Sequence, residues 1–265
     1  MRLTIRHTTR YRFDHPVSYG LQQLRKTPKS GHQQRVLDWR TEVEGGRKEL
    51  SFEDYHNNRV ELISFERDAE ELLVTSEGCV EIEETHGVVG PHPGPSPLWL
   101  YRRQTARTRP GPGVRALLRR VEGENELERM HSLLQVVHGA VSYEVGASAP
   151  DWSAEDAVTA GKGVCQDHAH VFLSAARDLG LPARYVSGYL MLNDRVEQDA
   201  MHAWAEVHLD ALGWVGFDVS NGISPDARYI RVATGLDYSD AAPVTGTRIG
   251  GAGEALDVQI EVAQQ

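Results

Sequence analysis

Alternation governs the first hundred residues. In LTIRHTTRYRF, Leu3, Ile5, His7, Thr9 and Tyr11 fall on one side and Arg6, Thr8, Arg10 and Arg12 on the other, the period of a half-buried strand. VLDWRTEVEG, NNRVELISFE and ELLVTSEGCVEIEE continue the pattern, separated by Gly-Gly and Asn-Asn turn signals. Short strands at this spacing predict a β-sandwich-like N-terminal domain over residues 1–100. The stretch from Gly87 to Gly113 is dense in proline and glycine. It predicts no regular element and reads as a domain connection running over a surface.

At Val114 the period changes. VRALLRRVEGENELERMHSLLQVVHGAV has helical spacing with a break near Gly123, and DWSAEDAV offers a Ser or Asp cap with an acidic first turn. In VCQDHAHVFLSAARDLG, the residues Val164, Ala169, Phe172, Leu173, Ala176 and Leu179 form one stripe, and Gly180 and Pro182 stop the helix. Strands return in ARYVSGYLML, HAWAEVHLD and GWVGFDVS. The tail EALDVQIEVAQQ alternates as one more strand, which could join either sheet. Helices followed by antiparallel strands predict an α+β core across residues 101–265, with a C-terminal strand.

Charge and composition narrow the function. A net charge of −10 argues against a general nucleic-acid binder, which needs a basic surface. No apolar run approaches the roughly eighteen residues of a membrane span. The opening residues alternate arginines and lack an apolar h-region, so no secretory signal is expected. Two cysteines, Cys79 and Cys165, exclude a disulfide scaffold and point to a reducing, cytoplasmic location.

The candidate chemistry centres on GKGVCQDHAH. Gly161 and Gly163 suit a tight approach to a helix, which places Cys165 in its first turn, where free amides and the helix dipole favour a negative sulfur. His202 heads HAWAEVHLD and shares a face with Trp204, Glu206 and His208; Asp218 shares a face with Trp214 and Gly216 on the next strand. An odd-length connection, Asp210-Ala211-Leu212, would set Trp204 opposite Asp218 and make His202 and Asp218 diagonal neighbours. An even one would send them to opposite faces. Cys165 would then be the nucleophile, His202 the base and Asp218 the acid that orients the imidazole. The Cys165 N–H is a natural oxyanion donor, with Gln166, Tyr143 and Trp152 as candidates for a second. The mechanism requires no cofactor.

Rival uses exist for several of these residues. Cys165 and His168 could hold zinc, but His170 lies about 140° around the helix, so one compact site would not use all three. His168 and His170 are expected instead to pack against the sheet. Asp167 fits the dipole in the first turn. Glu206 and His208 form an alternative pair, less well placed near the turn. Tyr185, Tyr189, Trp204 and Trp214 read as core aromatics.

GKGVCQDHAHVFLSAARDLGLPARYVSGYL, MHAWAEVHLDALGWVGFDVSNG and DYSDAAPVTGTR resemble the bacterial transglutaminase-like proteins of the papain-like cysteine enzyme superfamily. The resemblance covers most of the second half, and the first hundred residues resemble the β-rich region that precedes this core. It implies that Cys165, His202 and Asp218 are nucleophile, base and orienting acid. It also implies acyl transfer from a peptide or protein amide, with water or an amine as acceptor. Two positions depart from the family pattern. Asp218-Val219-Ser220-Asn221 stands where Asp-Pro-Thr-Asn is usual, and Leu236 stands where an arginine is common. The alternatives are a binding module on an inactivated core, or a zinc protein using Cys165 and His168.

Overall fold

The computed structural model describes residues 1–92, 94–149, 151–251 and 253–265. Strand β1 (Arg2–Leu24) carries the expected alternation: Leu3, Ile5, His7, Thr9, Tyr11 and Phe13 are buried, while Arg6 and Arg12 are exposed. It is followed by β2 (Gln34–Glu44), β3 (Gly46–Glu53), β4 (Arg59–Phe65) and β5 (Ala69–Ile82). The first half of β1 pairs with β5 and its end pairs with β4. β2 adds to β5, and β3 to β4. All belong to one connected sheet of eight strands, with β1 as its spine.

The proline- and glycine-rich stretch, expected to hold no regular element, holds two short ones. β6 (Val88–Gly90) pairs with Trp214 and Val215, and Leu98–Arg102 forms a 3-10 turn. Tyr101 supplies the reason. It is 1% exposed, and its ring centroid lies 5.2 Å from that of Trp214, so burial of one aromatic pins the connection to the core. Ser96 and Thr108 are buried as well, and anchors at such irregular spacing leave no periodicity to read.

The helices follow the sequence closely. α1 (Pro112–Leu118) and α2 (Glu126–Ala140) are separated at Gly123, whose φ of 144° lies outside helical space, and the Asn125 side chain caps α2. β7 (Ser142–Tyr143) leads to α3 (Ala154–Ala160), where Ser153 and Asp156 cap each other's amides. β8 (Lys162–Gly163) lies parallel to β7 and delivers the chain into α4 (Cys165–Asp178).

α4 is the central helix, buried at every position from Asp167 to Arg177. It packs on a five-stranded sheet formed by β6, β9 (Ala183–Leu190), β11 (His202–Leu209), β12 (Gly213–Phe217) and β13 (Tyr229–Gly235), with β10 (Glu197–Gln198) in the β9–β11 connection. Ala203, Ala205, Val207 and Leu209 of β11 share one apolar cluster with Ala169, Phe172, Leu173 and Ala176 of α4.

After α5 (Tyr238–Ala241), β14 (Val244–Gly250) and β15 (Glu254–Gln264) settle which sheet takes the tail: both pair with β1. Ile260 and Val262 of β15 join Leu3, Ile5, Val80 and Ile82 in a cluster that also holds Tyr189, Ile230 and Val232 of the core. β10 pairs with β15, so the connection leading to His202 is clipped to the N-terminal sheet. Among the described residues no helix is long and apolar enough to cross a membrane.

Candidate active site

Cys165 is the first residue of α4, and local sequence explains its placement. Gly161 ends α3 at φ 67°, a left-handed conformation that favours glycine. Gly163 has another reason: a Cβ there would sit 2.7 Å from the Asp167 Cβ. Asp167 needs that position, because its Oδ2 accepts the Val164 N–H at 2.8 Å and braces the first turn. The helical ladder begins with Asp167 and His168 donating to the Val164 carbonyl at 3.0 and 3.1 Å. The amides of Cys165 and Gln166 precede it and have no partner among the described residues, as the first amides of a helix ordinarily do.

β11 and β12 bring the other two residues. Their register pairs Leu209 with Gly213 and Ala205 with Phe217, so residues 210–212 form the odd-length connection that the alignment required. One further step of that register sets Trp204 against Asp218, on the face of His202. His202 Nε2 lies 2.6 Å from Asp218 Oδ2. Cys165 lies near enough to the same ring to act on its charge along with Asp218. His202 and Asp218 are thus in direct contact, with Cys165 close to the ring.

Asp218 has no exposed side-chain surface. Burial alone would keep such a carboxyl neutral, so its donors decide its state. Besides His202, Oδ2 accepts from Tyr229 Oη and Asn221 Nδ2, both at 2.7 Å, and Oδ1 accepts from Ser220 Oγ at 2.8 Å. Burial pushes its pKa up, but the charge of His202 and these hydrogen bonds outweigh it, and the carboxyl stays ionised down to about 2. For His202 the signs reverse: burial pulls the ring down, Asp218 and Cys165 pull it up, and the net displacement is well above 6.5. The imidazole is boxed by aromatics, with Trp204 stacked at 6.2 Å and Tyr229 tilted at 6.0 Å between centroids.

The departures from the family pattern gain a physical reading here. Ser220 keeps a hydroxyl donor on Asp218 where the family usually has threonine. At the second, Leu236 is buried beside Tyr101 and Trp214. Its carbonyl receives Arg177 Nη2 at 2.6 Å, so a guidinium from α4, rather than from position 236, reaches this corner.

Of the other candidates, Tyr143 lies alongside Gly163 in the β7–β8 pair and is coupled electrostatically to Cys165. Trp152 packs against the helix–sheet core. His168 turns both ring nitrogens to carbonyls, those of Val164 and Val141, each at 2.8 Å, so both are engaged by backbone instead of facing Cys165. His170 is fully buried and accepts the Tyr238 N–H at 3.2 Å, and burial drives its pKa down to about 3. The alternative Glu206–His208 pair does not form: Glu206 is held by Arg184 and Arg231, while His208 packs edge-on against Trp214.

Sequence reasoning missed Tyr229, while Tyr185 and Trp204, read as core aromatics, are core residues that also border the site. Tyr185 is fully buried and coupled to Cys165, and burial raises its phenol well above the usual range. An aromatic in a strand looks the same whether it fills a core or flanks a thiol. Ser220 was visible in Asp-Val-Ser-Asn, but Tyr229, on another strand, had no signal linking it to Asp218.

The comparisons agree with this architecture. Residues 115–219 match the transglutaminase-like superfamily, and residues 3–81 match the bacterial transglutaminase-like N-terminal region. The chain therefore carries a transglutaminase-like core behind a bacterial transglutaminase-like N-terminal region. An uncharacterized protein of Mycobacterium leprae is 28% identical, with 99% of both chains covered. An uncharacterized protein of Mycobacterium tuberculosis is 27% identical over 98% of this chain and 92% of that one. A solved structure named "a Putative Cysteine Protease from Cytophaga hutchinsonii" superposes with a TM-score of 0.80 at 19% identity, covering 99% of this chain and 90% of that one. At that identity the likeness is one of fold.

Proposed function

We propose that this chain is an acyl-transfer enzyme acting on peptide or glutamine-type amides through a thioester on Cys165. The observation that supports the reading is the 2.6 Å contact of His202 with the buried Asp218, beside Cys165 at the tip of α4. His202 already holds the proton given up by the Cys165 thiol, its ring being charged near neutral pH, and the thiolate adds to the amide carbonyl. The Cys165 N–H, at the start of the helix, would meet the developing oxyanion, with Tyr143, beside Gly163, one of the candidates for a second donor. As the C–N bond breaks, His202 returns the proton to the leaving amine, and the thioester remains. Water or a primary amine then attacks it, giving hydrolysis or transamidation. Asp218 fixes the tautomer and stabilises the imidazolium throughout. The reaction calls for no cofactor, and two free cysteines fit a reducing, cytoplasmic setting.

The test is mass spectrometry of a glutamine-containing peptide pool incubated with the protein and an isotopically labelled primary amine. Label incorporation identifies a transglutaminase, deamidation an amidase, and backbone cleavage a peptidase. Cys165→Ala should abolish the product while the thermal melt is retained. An untouched pool, or a product that survives Cys165→Ala, refutes the reading and favours a binding module.

A further inference from the structure

The face of the central sheet opposite α4 borders a cavity of about 480 Å³ between the two halves of the chain. Lys29, Gln34 and His56 line it from the N-terminal half, and Arg184, Arg231 and Thr234 from the core. No aspartate or glutamate lines it among the described residues, in a chain whose net charge is −10. Against the cavity, Glu206 is fully buried between two guanidiniums. Arg184 Nε donates to its Oε2 at 2.6 Å, and Arg231 donates through Nε at 2.5 Å and Nη2 at 3.1 Å. The Arg184 side chain is 6% exposed and that of Arg231 23%.

Two cations share one carboxylate, so the cluster keeps one uncompensated positive charge in a largely desolvated place. Such a charge is costly unless an anion joins it. Both arginines retain Nη1 without a hydrogen-bond partner among the described residues. Both are also held in place. Arg184 lies over the Trp214 ring at 3.9 Å, and the Gln34 amide grips both backbone groups of Arg231, at 2.8 and 2.9 Å. We propose that this interdomain cavity binds a carboxylate, from a small organic acid or the free C-terminus of a peptide, through Arg184 and Arg231. Carboxylate suits the site better than a phosphate dianion because Lys29 on the wall is already paired with Glu53 at 2.8 Å, so one negative charge balances the arginine cluster. His92, on the cavity wall, accepts the Trp214 indole N–H on Nδ1, so it adds no second positive charge. Glu206 lies on β11 with His202, but the cavity's chemistry is separate from that of Cys165.

Isothermal titration of the full chain carrying Cys165→Ala tests this, using acetate, the tripeptide Gly-Gly-Ala and its C-terminal amide. The free carboxylates should bind at one site and the amide should not. Arg231→Gln, which leaves the Arg184–Glu206 pair neutral, should weaken binding by about tenfold or more with the melt retained. Arg231→Lys keeps the charge without the fork and should lose less; it also decides the matter should Arg231→Gln not fold, because unchanged affinity would then refute the site. Similar affinities for acetate and tripeptide assign a small acid, and a much tighter tripeptide assigns a peptide terminus. Absence of binding by any probe, equal binding of the amide, or full affinity in Arg231→Gln overturns the proposal. These readouts do not depend on whether Cys165 is catalytic.

Discussion

Asp218→Asn asks whether the buried carboxylate sets the charge of His202 or merely fills space beside it. The substitution keeps shape and hydrogen-bonding capacity and removes one charge. In the native protein Asp218 has a carboxyl pKa of about 2 against 3.8 when unperturbed, and with no exposed side chain there is no solvent screening to discount. That difference corresponds to about 2 kcal/mol. The displacement of His202 contains the same ion-pair interaction, so the two are not added. The depressed Asp218 contributes stability above about pH 3.8, which is lost as pH falls through about 2. The raised His202 contributes stability that is complete below 6.5 and is lost as pH climbs through about 10. Both dependences should flatten in Asp218→Asn, measured by urea unfolding across pH. Nitrogen NMR of the ring should show His202 charged at pH 7.5 in the native protein and neutral in the variant, because burial then prevails. Turnover of whichever amide substrate the peptide pool reveals should fall by about 10⁴, the scale for uncharging the orienting acid of such a triad. A variant whose His202 remains charged at pH 7.5, or whose turnover stays within about tenfold of native, would refute the reasoning.

Tyr229→Phe removes one donor from the same ionised carboxylate, at a cost of about 1.5–3 kcal/mol read as a lower urea midpoint; an unchanged midpoint would mean that water replaces the hydroxyl. Gly163→Ala brings a Cβ to 2.7 Å from the Asp167 Cβ, so the first turn of α4 must shift. Overpacking predicts a loss of about 1–3 kcal/mol, and displacement of Cys165 predicts slower alkylation by iodoacetamide. Ile260→Ala opens the cluster shared by the two halves of the chain and should cost about 2–5 kcal/mol, measured by calorimetry. His202→Ala and Cys165→Ala should each abolish turnover, and the double variant should be no worse, since the residues act as one unit.

Local pattern was enough for much of this protein. The two-residue period placed β1 and its buried face, and the helical stripe together with Gly161 and Gly180 bounded α4, because those signals arise from each segment's own need to bury one side. The sequence left the β11–β12 connection open between odd and even lengths, and the pairing of Leu209 with Gly213 settled it as odd, which aligns Trp204 with Asp218. What the chain could not announce locally was decided by packing. Tyr101 orders a proline-rich connection only because Trp214 is there to receive it. β15 could have extended either sheet, and pairing with β1 settled the choice by burying Ile260 and Val262 on Leu3 and Ile5. Tyr229 beside Asp218, and Glu206 between Arg184 and Arg231, are matches between different strands. The charge of a buried group depends on everything that surrounds it, and only the folded chain assembles those surroundings.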